Sequence, residues 1–453
     1  MAKLKVLTAI VAVVLLAAAG ARAQLGARNP GATDPGLRRE PPGAGGMLDA
    51  LTPNQQAFFN AGQDAFKEAD MLEEGLGPRF NLDGCGGCHS QPAIGGTSPA
   101  VNPQVGIATD FGARNKVPSF IDLNGPSREA RFKYKPDGSR DGGVHALFVI
   151  SGRKDGTADA SGCDIQQEDF DAQVAADNII FRIPTPTFGS GLIEQIADSV
   201  ILDNRDAHAY RKAALGISGR PNRNGNDGTI ARFGWKAQNK SLLLFAGEAY
   251  NVEMGITNEL FQTERDETPS CQFARTPNNV TNTDGGTGTD VLADVQKFAF
   301  FMRFLAPPQP SPDTPGGAAS IGRGRDYFRE VGCALCHTPT LSTGLSPVAA
   351  LSEKPVHLFS DLLLHNMGPG LADDILQGQA RGDEFRTAPL WGLGQRIFFL
   401  HDGRTTDLEV AIQAHKSFGN LRFRSSEANG VIGLFNALSE AQKQDVLNFL
   451  RSL

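Results

Sequence analysis

Two short runs, Cys85-Gly86-Gly87-Cys88-His89 and Cys333-Ala334-Leu335-Cys336-His337, each place an imidazole directly after the second of two closely spaced thiols. That order suits covalent attachment of a c-type haem. The thiols form thioethers with the vinyl groups, and the adjacent His supplies the proximal nitrogen to iron. The competing reading is a single structural zinc held by both Cys pairs. It leaves both His residues without a role and needs pairs that usually lie closer in sequence. Two haem c groups in one chain make redox chemistry the expected function class.

The second axial face of each iron decides what the haem does. A strong second ligand makes an electron-transfer haem, and an open face makes a catalytic one. Aligning Leu408 with Leu242 sets His401 opposite Trp235 and His415 opposite Ala249. The second haem is then expected to be closed by His337 and His415, with Met367 as the alternative ligand. The first, on His89, is expected to be open with Glu253 nearby. Met254 is a weaker ligand candidate. His145 could cap the first haem in a resting state. His365 and His401 read as core hydrogen-bonding groups, and His208 and His357 as surface residues.

The elements that must hold these groups read as mainly α. Thr52-Pro53-Asn54-Gln55 carries a capping box and starts a helix to about Phe66. Helices are expected over Asp294–Leu305, over Ala318–Val331 leading into Cys333, and from the Ser439–Gln442 capping box to Leu453. Asp294-Val295, Phe298 and Arg303-Phe304-Leu305 echo Asp445-Val446, Phe449 and Arg451-Ser452-Leu453, which implies an internal duplication. The expected organisation is a signal peptide at 1–23, a flexible arm at 24–47, and a cytochrome c-like helical haem domain at 48–306. A Pro-rich linker at 307–317 and a second such domain at 318–453 follow. An insertion at about 97–229 reads as loops and short strands, such as Ala146–Ile150 and Ile179–Phe181.

Lys3 and Lys5 before an apolar run, and Ala21-Arg22-Ala23 before Gln24, read as an export signal. The expected location is periplasmic or secreted. No membrane anchor is expected, since no Cys follows the cleavage site. Loss of three basic residues takes the formal charge from −7 to −10. No basic stripe interleaved with aromatics occurs, which excludes nucleic-acid binding as an expectation. In an oxidising compartment, Cys163 and Cys271 are expected to pair as a disulfide rather than act as catalytic thiols.

The chain resembles the bacterial di-haem cytochrome c peroxidase superfamily, which includes the methylamine-utilisation di-haem enzymes and rubber oxygenases. The nearer likeness is to its di-haem oxidoreductase branch. The segments that carry it are Phe359–Asp373, Phe385–Leu393, His401-Asp402-Gly403-Arg404, and Arg232–Trp235 through Glu253-Met254-Gly255. The resemblance implies that Trp235 lies between the haems as an electron relay. It implies that Glu253 moves protons during peroxide cleavage, and that His415 stands where the second axial ligand sits. Trp235-Lys236-Ala237-Gln238 and Phe398-Phe399-Leu400 depart from the family pattern; the latter region helps hold an interdomain calcium in relatives, so calcium here is put in doubt.

The expected function is peroxide reduction at the first haem. Electrons enter through the second from a small periplasmic cytochrome c or cupredoxin. Two alternatives stay open: an oxygenase or oxidase that takes dioxygen and an organic substrate, and a plain di-haem electron carrier. Fold likeness cannot separate the first two.

Overall fold

The helix expected from Thr52 forms over Pro53–Lys67 (α1), with the reciprocal Thr52–Gln55 capping box in place. It belongs to a computed structural model that describes residues 31–39, 43–152, 162–263, 265, 268–271 and 277–453. The expected signal peptide lies outside the described residues. Four further helices position the cavities described below: α2 (Leu242–Met254), α3 (Asp294–Phe304), α4 (Ala318–Glu330) and α5 (Leu408–Gln413). The chain closes with α6 (Glu440–Ser452), which starts at the Ser439–Gln442 capping box.

The same construction occurs twice. α1 packs on α3, and α4 packs on α6. Each opening helix carries a glycine at the crossing: a Cβ at Gly62 would overlap the Lys297 carbonyl, and one at Gly324 the Asp445 carbonyl. The missing side chains let the backbones approach closely. One turn further along, Phe66 and Phe328 lie against His89 and His337, with ring centroids 5.9 and 6.4 Å apart. These contacts set Phe301 opposite Phe449. The repeat is therefore offset from the expected pairing of Phe298 with Phe449. Apolar residues recur every three or four positions along α3, so a shift of about one turn keeps the pattern and only the crossing glycines settle it.

The insertion holds more helix than expected. Its strands β2 (Glu129–Phe132), β3 (Val144–His145) and β5 (Ile179–Arg182) form one antiparallel sheet in the order β3-β2-β5. Outside that sheet, β1 (Arg79–Phe80) pairs with β4 (Phe148–Val149). The same region also forms helices over Phe170–Ala175, Ser190–Glu194, Asp198–Asp206 and Ala209–Leu215. Its Asp residues signal turns in sequence, yet Asp169 acts as an N-cap and Ile201 buries completely. Cys163 and Cys271 are joined as a disulfide, as expected.

Residues Asp34–Leu453 form one compact unit. The expected loose arm at 24–47 is pinned in its described part. Asp34 accepts from Arg451 Nε and Nη2 at 2.7 and 2.6 Å, and Arg38 donates to the carbonyls of Ser452 and Gln309. A buried arginine pair of this kind must be satisfied, so it fixes the strap across α6 and the Pro-rich segment. Among the described residues, no helix is long and apolar enough to cross a membrane.

Candidate functional site

Two cavities flank the middle of the molecule. The first has about 1230 Å³ of empty space and is lined by Cys85, Cys88 and His89, with Ala249 and Glu253 from α2. The second has about 1390 Å³ and is lined by Cys333, Cys336 and His337, with His415 just beyond α5. The two Cys pairs thus face different spaces, so one zinc ion cannot take all four thiols.

The histidines are set up to bind metal. His89 Nδ1 bonds the Gly96 carbonyl at 2.9 Å, His337 Nδ1 that of Phe359 at 3.1 Å, and His415 Nδ1 that of Ala411 at 2.8 Å. A carbonyl only accepts, so each Nδ1 carries the proton and Nε2 keeps its lone pair for a metal. Burial pushes His89 and His337 down to about 4, and lowers His415 as well, so all three stay neutral. Two thiols and a neutral imidazole of the right tautomer in each cavity fit a haem.

The two cavities are related residue by residue. Ser241 caps α2 and Asp407 caps α5, each accepting from a backbone N–H three residues on. Just before these caps, Phe233 bridges Asn239 and Phe399 bridges Thr405, so the same turn is built twice. The equivalence puts Trp235 opposite His401 and Ala249 opposite His415, as the alignment of Leu242 with Leu408 expects. Met367 also lines the second cavity, and Met254 the first.

Trp235 lines both cavities. Its indole N–H donates to the Ile183 carbonyl at 2.9 Å, and the Ile183 N–H donates to the His401 carbonyl at 2.8 Å. The Trp235 and His401 rings meet edge to face at 6.4 Å. Beside them, Lys236 is wholly buried. Its ammonium lies 3.0 Å from Asp373 and donates to the carbonyls of Arg381 and Glu384 at 2.8 Å. Those oxygens already serve a cation. Near Phe398–Leu400, the described residues hold no group of three metal-ligating side chains.

Other expectations are redirected. His145 does not line the first cavity. Its ring nitrogens meet Asp141 at 3.1 Å and Glu168 at 3.4 Å, and it stacks on Phe132. His365 is held on both nitrogens, by Glu427 at 2.8 Å and Asp361 at 2.9 Å, which removes it as an iron ligand. His208 and His357 are exposed, as expected.

The sequence reading missed Glu129. It lines the first cavity, accepts from Arg131 Nε at 2.6 Å, and stands opposite Arg182 across the β2–β5 pair. Its carboxyl is in hydrogen-bonding contact with that of Glu253. Glu253 in turn accepts from Asn81 Nδ2 at 2.6 Å. The available signal was the alternation Glu129-Ala130-Arg131, which puts both charges on one strand face.

A family profile described as "Di-haem oxidoreductase, putative peroxidase" matches residues 128–453. Among solved structures, a MauG-like protein associated with microbial copper homeostasis is similar at 15% identity and a TM-score of 0.29. That match covers 60% of this chain and 90% of the other. The Kuenenia stuttgartiensis hydrazine synthase is similar at 18% identity and a TM-score of 0.23, over 41% of this chain. The chain spans 59% of that protein's length. No curated protein matches the chain.

Proposed function

The chain belongs to the di-haem oxidoreductase family, and on that premise we propose that it is an exported enzyme that reduces peroxide. Two haems are attached covalently, one through Cys85 and Cys88, the other through Cys333 and Cys336. The observation that carries this reading is the inequality of the matched cavities: where the second presents His415, the first presents Ala249. Bound in the first cavity, a haem would supply a place for peroxide and the redox chemistry to reduce it.

The protein's own groups do the rest. His89 and His337 would each ligate a haem iron, and His415 would be a further ligand in the second cavity. Glu253 moves a proton between the two oxygens of peroxide so that one leaves as water. The overall balance is peroxide plus two protons and two electrons giving two waters. The electrons would come one at a time from a small cytochrome or copper protein, and Trp235, which lines both cavities, would relay them. The disulfide between Cys163 and Cys271 supports an oxidising, extracytoplasmic location.

Spectra of both haems in each redox state, with and without hydrogen peroxide, test the reading. One high-spin, peroxide-reactive haem beside one low-spin haem is the expected result. Two low-spin haems inert to peroxide would leave an electron carrier and sink the enzyme.

A further inference from the structure

We infer that Glu129 is a positioning residue for the first cavity: it and Glu253 form a carboxyl pair that holds a single shared proton, with Arg131 and Arg182 keeping the pair's remaining charge on Glu129. This deepens the peroxidase reading and rests on it for its catalytic meaning, though the pair itself stands on geometry.

Three observations support it. First, two acidic side chains touch inside one cavity wall, and two like charges at contact cannot both ionise. Second, their surroundings are unequal. Glu129 has the Arg131 guanidinium at 2.6 Å and Arg182 as its cross-strand neighbour. Glu253 accepts from the neutral amide of Asn81 at 2.6 Å. Third, Asn81 cannot turn away. Its Oδ1 accepts from the Leu147 N–H at 2.8 Å, and its own backbone N–H donates to the Glu253 carbonyl at 2.7 Å. Asn81 therefore fixes one Glu253 oxygen and with it the orientation of the carboxyl beside Glu129.

The charged and titratable groups around Glu253 come from several elements. β2 contributes Glu129 and Arg131, β5 contributes Arg182, and the segment after α2 contributes Arg265. Cys85 and Cys88 come from the motif, and Glu248 from α2 itself. Burial, then the charge and hydrogen bond of Glu129, push Glu253 up to about 8 against the weaker pull of Asn81 and Arg131. Burial also raises Glu129, but Arg131 and Arg182 outweigh it and hold it below the ordinary range.

A pair with one proton serves both halves of peroxide cleavage. It takes the proton of the oxygen that stays and returns one to the oxygen that leaves, so the O–O bond breaks with no net proton taken from solvent. Above about pH 8 the shared proton is lost, and the only proton the pair can then return is the one it has first taken from peroxide.

The test uses the full-length holoprotein. Infrared pH-difference spectra read the C=O stretch of a protonated buried carboxyl, which needs no turnover. The wild type should show a band that titrates near pH 8, distinct from that of Asp70, which burial pushes up to about 7, and Glu253→Gln should abolish the former and leave the latter. Glu129→Gln keeps the shape and a hydrogen-bonding amide but removes the neighbouring charge and the carboxylate partner of Arg131, while Arg182 keeps its ion pair with Asp373, so the midpoint should fall by about one unit or more. Glu129→Asp should restore most of the shift. Peroxide turnover in Glu129→Gln should lose activity at neutral pH, with its alkaline limb moved to lower pH. A band unmoved in Glu129→Gln, or no Glu253 band in the wild type, overturns the shared-proton pair. A normal band in a protein that turns over no peroxide with any reductant overturns the peroxidase reading and leaves the pair standing.

Discussion

The two cavities are built from one plan and finished differently. In each, an opening helix crosses a closing helix at a glycine, a phenylalanine one turn on lies against the motif histidine, and a bridged turn precedes a capped helix. The difference is what the capped helix presents. α2 brings Ala249 and Glu253 to the first cavity. The chain after α5 brings His415 to the second. The insertion then adds Glu129, Arg131 and Arg182 to the first cavity only. The repeated plan supplies two alike cavities, and under the proposed function the local departures divide the work: the first cavity would move protons and the second would keep its metal closed.

The sharpest way to break that comparison is to exchange the finishing residues. Ala249→His should close the first haem, converting its high-spin signal to low-spin and taking peroxide turnover to background. Electron paramagnetic resonance and a peroxide assay read both, and a persistent high-spin signal would undo the equivalence of Ala249 and His415. The reverse change, His415→Gly, should turn the second haem high-spin while the first keeps its signal. If the second stays low-spin, Met367 is the ligand instead. Adding a Cβ at either crossing, Gly324→Ala or Gly62→Ala, should cost about 1–3 kcal/mol, measured by thermal unfolding of each variant. A cost confined to one half would mean that the two crossings are not equivalent. The mildest change is Trp235→Phe. Loss of the indole bond to Ile183 should cost about 1 kcal/mol and leave both haem spectra unchanged. Reduction of the first haem through the second should slow in stopped-flow experiments. An unchanged rate would reduce Trp235 to a packing residue.

Local signals were legible in the sequence. Capping boxes at Thr52 and Ser439 set helix starts within the chain itself, and the CxxCH runs need only neighbouring residues to state their chemistry. The alignment of Leu242 with Leu408 also survived, because capped helix starts and bridged turns repeat together. The pairing of Arg303–Leu305 with Arg451–Leu453 keeps the register of the crossing glycines, whereas that of Asp294 and Phe298 with Asp445 and Phe449 is offset, since apolar periodicity tolerates a slip of one turn. His145 was misplaced because nothing near it in sequence reveals both of its partners.

What the sequence determined by itself is therefore what short-range geometry encodes: two attachment motifs, the helices that carry them, and the alanine and histidine that make the two halves unequal. The tertiary structure alone decided which side chains meet. Glu129 and Glu253 are far apart in the chain and come from a strand and a helix. Trp235 reaches both cavities only because its turn is packed against its own duplicate around His401. Charge sharing, desolvation and ring contact act over a few ångströms of space whatever the distance along the chain, so these features become visible only once the fold brings the groups together.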